Sequence, residues 1–235
     1  MSSRRVHDIE YHLRPGTSRK TTDIVIERDG AVVVRPPRDL APERVDALIE
    51  KKKIWIYRSL AEWRDMNATA VVREWVNGET FLYLGRSYRL ALIEDQSCSL
   101  KLERGRFCLN RRLIDKAGVA AAKKAFESYY AEKAQQRITS RIKYFSPKVG
   151  VIPSSIQVKE LGFRWASCSS KGVLSFHWKC MMASPKVIDY IIVHELCHLH
   201  QRDHSDAFWN EVDRVMPDYR ERKNWLKMNG AALDL

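Results

Sequence analysis

Between Ser184 and His204 the chain reads Ser184-Pro185-Lys186-Val187-Ile188-Asp189-Tyr190-Ile191-Ile192-Val193-His194-Glu195-Leu196-Cys197-His198-Leu199-His200-Gln201-Arg202-Asp203-His204. Ser184 followed by Pro185 is a helix start, with serine at the N-cap and proline at the first helical position, where its missing N–H costs nothing. Val187, Ile188, Ile191, Ile192, Val193, Leu196 and Leu199 make the run too apolar for a helix with one face in water. The spacing therefore predicts a buried core helix. Into it are set His194, Glu195 and His198, and ionisable groups in a core element need a partner.

At 3.6 residues per turn, His198 lies about 40° around the axis from His194, and Glu195 about 100° from it. Both imidazoles can reach one ion while the carboxylate enters the same cleft without binding it. Neutral imidazoles hold a borderline-soft cation such as Zn2+ without cancelling its charge, and a catalytic ion keeps one position for water. Glu195 then stands as the general base that takes the proton of that water. Two hydrogen-bonded core histidines are the plain alternative, against which Glu195 and the downstream His204 both count.

A catalytic ion wants a third protein ligand. His204 leads, provided that Gln201, Arg202 and Asp203 turn the chain back after the helix; Asp203, Asp206 and Glu211 are the acidic alternatives. Asp203 or Ser205 can cap a further helix from about Asp206. Cys197, about 60° from His194, reads as packing, and His200 as a surface or supporting group.

Upstream, the stretch from Phe163 to Trp178 combines Phe163, Trp165, Phe176 and Trp178 with the small residues Ser167, Cys168, Ser169 and Ser170. An open strand edge there would pair with an extended polypeptide; a core strand with a tight Lys171-Gly172 turn is the competing reading. Arg164, His177 and Tyr219 are candidate partners for a developing oxyanion, and Trp165 a candidate substrate-side contact.

The remainder predicts an α+β fold. Asp23 to Arg28 and Ala31 to Arg35 are β-branched runs around Asp29-Gly30, a hairpin signal. Pro42 opens a helix to about residue 65, through Val45, Leu48, Ile49, Lys52, Ile56 and Leu60. Strand patterns return at Thr80 to Leu84, Ser87 to Glu94, Ser97 to Leu102 and Arg106 to Leu109, with turns at Gly85-Arg86 and Gly105. From about Asp115 the pattern is helical until Pro147 and Gly150, after which Ser155 to Lys159 and Val173 to Trp178 read as strands. The pattern changes near residue 112, which divides an antiparallel β-rich N-terminal region with an inserted helix, 1–112, from a C-terminal region, 113–235, that carries the chemistry.

The 235 residues are 45% apolar, enough for one large domain or two small ones, and no apolar run approaches the roughly 20 residues of a bilayer span. Polar residues follow Arg4 and Arg5 where a signal peptide would be apolar. Five cysteines without a Cys-x-x-Cys pair argue against a disulfide framework or zinc ribbon, leaving the pairing of Cys98 with Cys108 open. A cytoplasmic protein with no membrane partner is expected. The net charge of +12, from 41 Lys and Arg against 29 Asp and Glu, fits either a solvated basic surface or a polyanionic partner such as nucleic acid or a nucleotide.

The residues His194-Glu195-Leu196-Cys197-His198-Leu199, with His204-Ser205 and Phe208-Trp209, resemble the bacterial YgjP-like metallopeptidase family, related to SprT-like proteases. Arg164-Trp165-Ala166-Ser167-Cys168-Ser169, Pro217-Asp218-Tyr219, Trp225-Leu226, Thr22-Asp23-Ile24 and Gly85-Arg86-Ser87-Tyr88 extend the likeness. Ala166 in place of glycine and His177-Trp178 in place of Asn-Trp depart from it. The resemblance implies a minimal zincin-like catalytic domain over 113–235, with His194, His198 and His204 as zinc ligands, Glu195 as the catalytic residue and polypeptide as substrate. Two other functions fit the same residues: a metal-dependent nucleoside triphosphate pyrophosphohydrolase, which lacks a Gly-rich phosphate loop here, and a nucleic-acid-binding protein with a structural zinc.

Overall fold

A computed structural model describes residues 2–16, 21–26, 30–67, 73–162 and 164–235. The chain divides into two compact units, Met1–Ala70 and Val71–Leu235. The pattern change expected near residue 112 falls inside the second of these, in the first turn of its long helix.

The first unit is a four-stranded sheet and a helix. Strands β1 (Ser2–Val6), β2 (Ile9–Leu13), β3 (Asp23–Ile26) and β4 (Val32–Arg35) lie in the order β1-β2-β4-β3, with β2 and β4 parallel. The β3–β4 pair is antiparallel, as the hairpin reading requires; Glu27, Arg28 and Asp29, which that reading includes, lie outside the described residues. Helix α1 (Pro42–Asn67) lays Val45, Ile49 and Ile56 against Ile9, Tyr11, Val32 and Val34. Asp46 ties helix to sheet by accepting hydrogen bonds from Tyr11 Oη and Arg4 Nη2, both at 2.6 Å. Lys52, placed in the apolar stripe by its spacing, is exposed.

The second unit opens with β5 (Thr80–Tyr83), β6 (Arg86–Ile93), β7 (Leu100–Glu103) and β8 (Arg106–Asn110), in the order β5-β6-β8-β7. Here the expected antiparallel sheet is corrected to a mixed one, because β6 and β8 run parallel. Helix α2 (Arg111–Val149) is broken at Gly118 and ends on Gly150 in the left-handed conformation. Its buried side chains, Ala122, Phe126, Tyr130, Ala134, Ile138, Ile142, Phe145 and Val149, recur at three- and four-residue spacing. That single stripe is shared between the sheet and the helix that carries His194.

A second sheet follows, made of β9 (Ser155–Lys159), β10 (Ala166–Cys168) and β11 (Val173–His177) in the order β10-β11-β9. Within the stretch from Phe163 to Trp178, β10 is the edge strand of this sheet, antiparallel to β11. A 3-10 turn, Trp178–Met182, leads into α3 (Pro185–Cys197), α4 (Asp206–Val215) and α5 (Tyr219–Asn229). The Arg141 guanidinium of α2 grips Asp189 of α3 through two hydrogen bonds of 2.7 Å. All five cysteines are free. No helix among the described residues is long and apolar enough to cross a membrane.

The start of α3 is fixed by the β5–β6 turn. Leu84 and Gly85 donate backbone N–H groups to the carbonyls of Met181 and Met182. Gly85 has φ +75° and sits so close to Ser184 that an added Cβ would lie 2.9 Å from its Cα. Gly105 has a similar φ, +74°, with nothing near. Gly105→Ala is expected to cost about 1 kcal/mol from the backbone alone. Gly85→Ala adds the clash and should cost about 3 kcal/mol, a fall of roughly 6–12 °C in the melting temperature of the second unit. Equal losses in the two variants, read by thermal denaturation, would refute this role for the turn.

Candidate active site

Helix α3 lies in the core, with Val187, Ile188, Tyr190, Ile191, Ile192, Val193, Leu196 and Cys197 buried. His194 and Glu195 occupy its last turn, and His198 is its C-cap, with φ −65° and ψ −13°. Beyond it, Leu199, His200 and Gln201 turn back by donating to the carbonyls of Leu196 and Cys197. That reversal brings His204 back to the helix end.

The three imidazoles converge. His194 Nε2 lies 3.2 Å from His198 Nε2 and 3.1 Å from His204 Nε2. His198 Nδ1 is 2.9 Å from the Gln201 carbonyl oxygen; a carbonyl only accepts, so Nδ1 carries the proton and Nε2 presents its lone pair. His194 Nε2, with one proton or one lone pair, cannot satisfy both neighbours as separate hydrogen bonds. A cation satisfies all three. Two nitrogens held about 2.0–2.1 Å from one tetrahedral ion sit about 3.3–3.4 Å apart, close to the spacing here. One ligand atom from each histidine falls within 4.8 Å of the others, so the donor set fits a metal ion.

Electrostatics favour the neutral rings such an ion needs. Burial, then the neighbouring His198, His204 and Lys223, push His194 down to about 3. Burial also lowers His204. Glu195 is 6% exposed, and its Oε2 finds no hydrogen-bond partner among the described residues. Burial drives its carboxyl up to about 8, opposed by the charge of Arg164. A buried carboxylate oxygen with nothing to accept from is costly, and a water between it and a cation would satisfy it.

Aromatic rings wall the triad. The Phe208 centroid lies 4.9 Å from His194, 4.5 Å from His198 and 4.9 Å from His204. Trp209 stacks on His204 at 5.5 Å, and Tyr219 stacks on Trp209 at 5.4 Å. The place of both α4 residues about one helical turn after His204 is the sequence signal that links them to it.

Arg202 carries a role that its sequence position hides. Its Nη1 donates to the Ser169 carbonyl at 2.7 Å and its Nη2 to the Ser170 carbonyl at 3.2 Å, with Cys168 Sγ 3.6 Å away. The loop bearing His204 is thereby clamped to the end of β10. No local pattern could reveal a bond between residues more than thirty positions apart.

The other candidate residues fare differently. Arg164 precedes β10 and projects its charge onto Glu195. Tyr219 stacks on Trp209 rather than on a triad ring, and its hydroxyl accepts from Arg220 Nε at 3.2 Å. Trp165 packs beside Gly230 and His177, and its carbonyl accepts from the His177 N–H at 2.8 Å. His177 is fully buried, with Nε2 2.7 Å from Glu160 and Nδ1 accepting from the Lys179 N–H; both nitrogens are engaged away from the triad. His200 pairs with Glu211 at 2.6 Å. Asp203 accepts from the Ser205 N–H, which explains why neither acid joins the three histidines.

No curated protein matches the chain. Among solved structures, the crystal structure of the metallopeptidase zymogen of Pyrococcus abyssi abylysin aligns with a TM-score of 0.35 and 22% identity, over 37% of this chain and 89% of that one. The family model described as YgjP-like, metallopeptidase domain, matches residues 20–229, and the chain belongs to that YgjP-like metallopeptidase family, as its motifs implied.

Proposed function

We propose that this protein is a zinc-dependent peptidase in which His194, His198 and His204 hold the ion and Glu195 is the general base. The observation that carries this is the convergence of the His194, His198 and His204 Nε2 atoms, with His194 followed on α3 by the buried Glu195, whose Oε2 has no partner among the described residues. Zinc supplies Lewis acidity, acidifying water and polarising a carbonyl, and three protein ligands rather than four suit a catalytic ion.

The chain's own groups do the rest. Glu195 accepts a proton from the attacking water and later delivers it to the departing amine. Arg164 faces the negative charge that develops on the attacked carbonyl oxygen. Strand β10 ends its sheet and packs against α3, so its free edge can hold an extended polypeptide by backbone hydrogen bonds. Phe208 and Trp209 exclude bulk water from one side of the imidazoles and fix their planes. Arg202 is a positioning residue for His204.

Two outcomes test the assignment. Glu195→Gln should retain zinc and lose about 10²–10⁴-fold in peptide hydrolysis, measured on an unfolded protein substrate; hydrolysis of a nucleoside triphosphate by the parent, without peptide cleavage, would overturn the reading. Arg202→Ala should weaken zinc binding by about tenfold or more in a chelator competition, with Arg202→Lys recovering only part of it because a lysine lacks the two-pronged donor geometry. Unchanged zinc affinity in Arg202→Ala would remove the clamp from the account.

A further inference from the structure

The ring of Trp209 belongs to two places at once. It stacks on His204, and with Tyr219, Arg220, Lys223 and Asn224 it also lines a surface hollow of about 260 Å³. Lys223 Nζ stands 3.9 Å from the centre of that ring. The hollow and the histidine triad are thus separated by one side chain.

Its lining has an unbalanced charge. Arg220 and Lys223 are both exposed, and among the described residues neither has a carboxylate within ion-pairing distance. Their neighbours are spent differently: Arg222 is held by Asp218 at 2.7 Å, and Arg214 lies 3.9 Å from Glu211 and donates to the Lys148 carbonyl. Asp213 is the acid whose field reaches Arg220, but it does not line the hollow. Arg220 uses Nε to bond the Tyr219 hydroxyl, an anchor that leaves both terminal amino groups of its fork on offer. The lining therefore supplies a guanidinium fork, an ammonium, a neutral amide and an aromatic floor.

That set is complementary to a carboxylate on a short apolar stem. The fork and the ammonium bind the oxygens, and the rings of Trp209 and Tyr219 cover the methylenes. We infer that the hollow is a substrate subsite that takes a carboxylate, carried by an acidic side chain or by the chain terminus of the polypeptide beside the bond to be cut. The inference rests on the peptidase reading and adds a substrate class to it.

The test uses the zinc-loaded full chain and a set of peptides in which one glutamate is moved through the three residues on either side of the cleaved bond, each with its glutamine counterpart. A further pair ends in a free carboxylate or an amide at the same distance, which separates the terminal from the side-chain source. At one position the acid is expected to raise kcat/KM by about five- to tenfold. In the Arg220→Gln, Lys223→Gln double variant that ratio should fall to about one, and in the Arg220→Glu, Lys223→Glu variant it should invert. Calorimetric binding to the Glu195→Gln protein should show the same preference without turnover. Peptide cleavage with no acid preference, or a preference that survives in the double variant, overturns the subsite and leaves the peptidase reading intact. Cleavage of none of the peptides overturns the peptidase reading and the subsite with it.

Discussion

Imidazole nitrogens 3.1 and 3.2 Å apart impose a condition on everything around them. In its neutral form His198 offers the Nε2 lone pair because its single N–H, on Nδ1, donates to the Gln201 carbonyl, so His194 faces two neighbours with one nitrogen. In water such rings would rotate apart. Here they cannot, because Phe208 lies against all three and Trp209 against two of them. The packing holds the lone pairs in a geometry that a cation relieves, and this preorganisation is what a metal site needs before the metal arrives.

The larger architecture serves that constraint. Burying Glu195 and half-burying two histidines at the end of an apolar helix costs stability, and the second unit meets the cost with one continuous core running from Phe81 and Phe107 through α2 to α3. Arg141 locks the axial position of α3 through Asp189, and the β5–β6 turn fixes where the helix begins. At its other end the Arg202 clamp joins the His204 loop to β10. The strand proposed to receive substrate and the loop proposed to complete the metal site are therefore mechanically one piece.

What could be read in the sequence followed from periodicity. His194, Glu195 and His198 sit at spacings that a helix converts directly into directions, and the helical pattern from about Asp115 to Gly150 was visible for the same reason. Elements that depend on distant partners were not visible. Strands β1 and β2 carry Arg4, Arg5, Glu10 and His12, and among the described residues only Ile9 and Tyr11 are buried in them, too few to signal a strand. Strand β10 is Ala-Ser-Cys, small residues that also suit a turn. The parallel pairing of β6 with β8 is a matter of topology that two adjacent hairpin signals conceal. His177 looked reactive because histidine often is; its partner Glu160 lies seventeen residues upstream, in the connection after β9.

The central claim concerns which atoms surround the ion, and X-ray absorption at the zinc edge reads them directly. Protein loaded with one equivalent of zinc should give three imidazole nitrogens at about 2.0–2.1 Å and one further light-atom neighbour. A sulfur neighbour at about 2.3 Å, bringing Cys168 or Cys197 into the shell, or a spectrum with only two imidazoles, would contradict it.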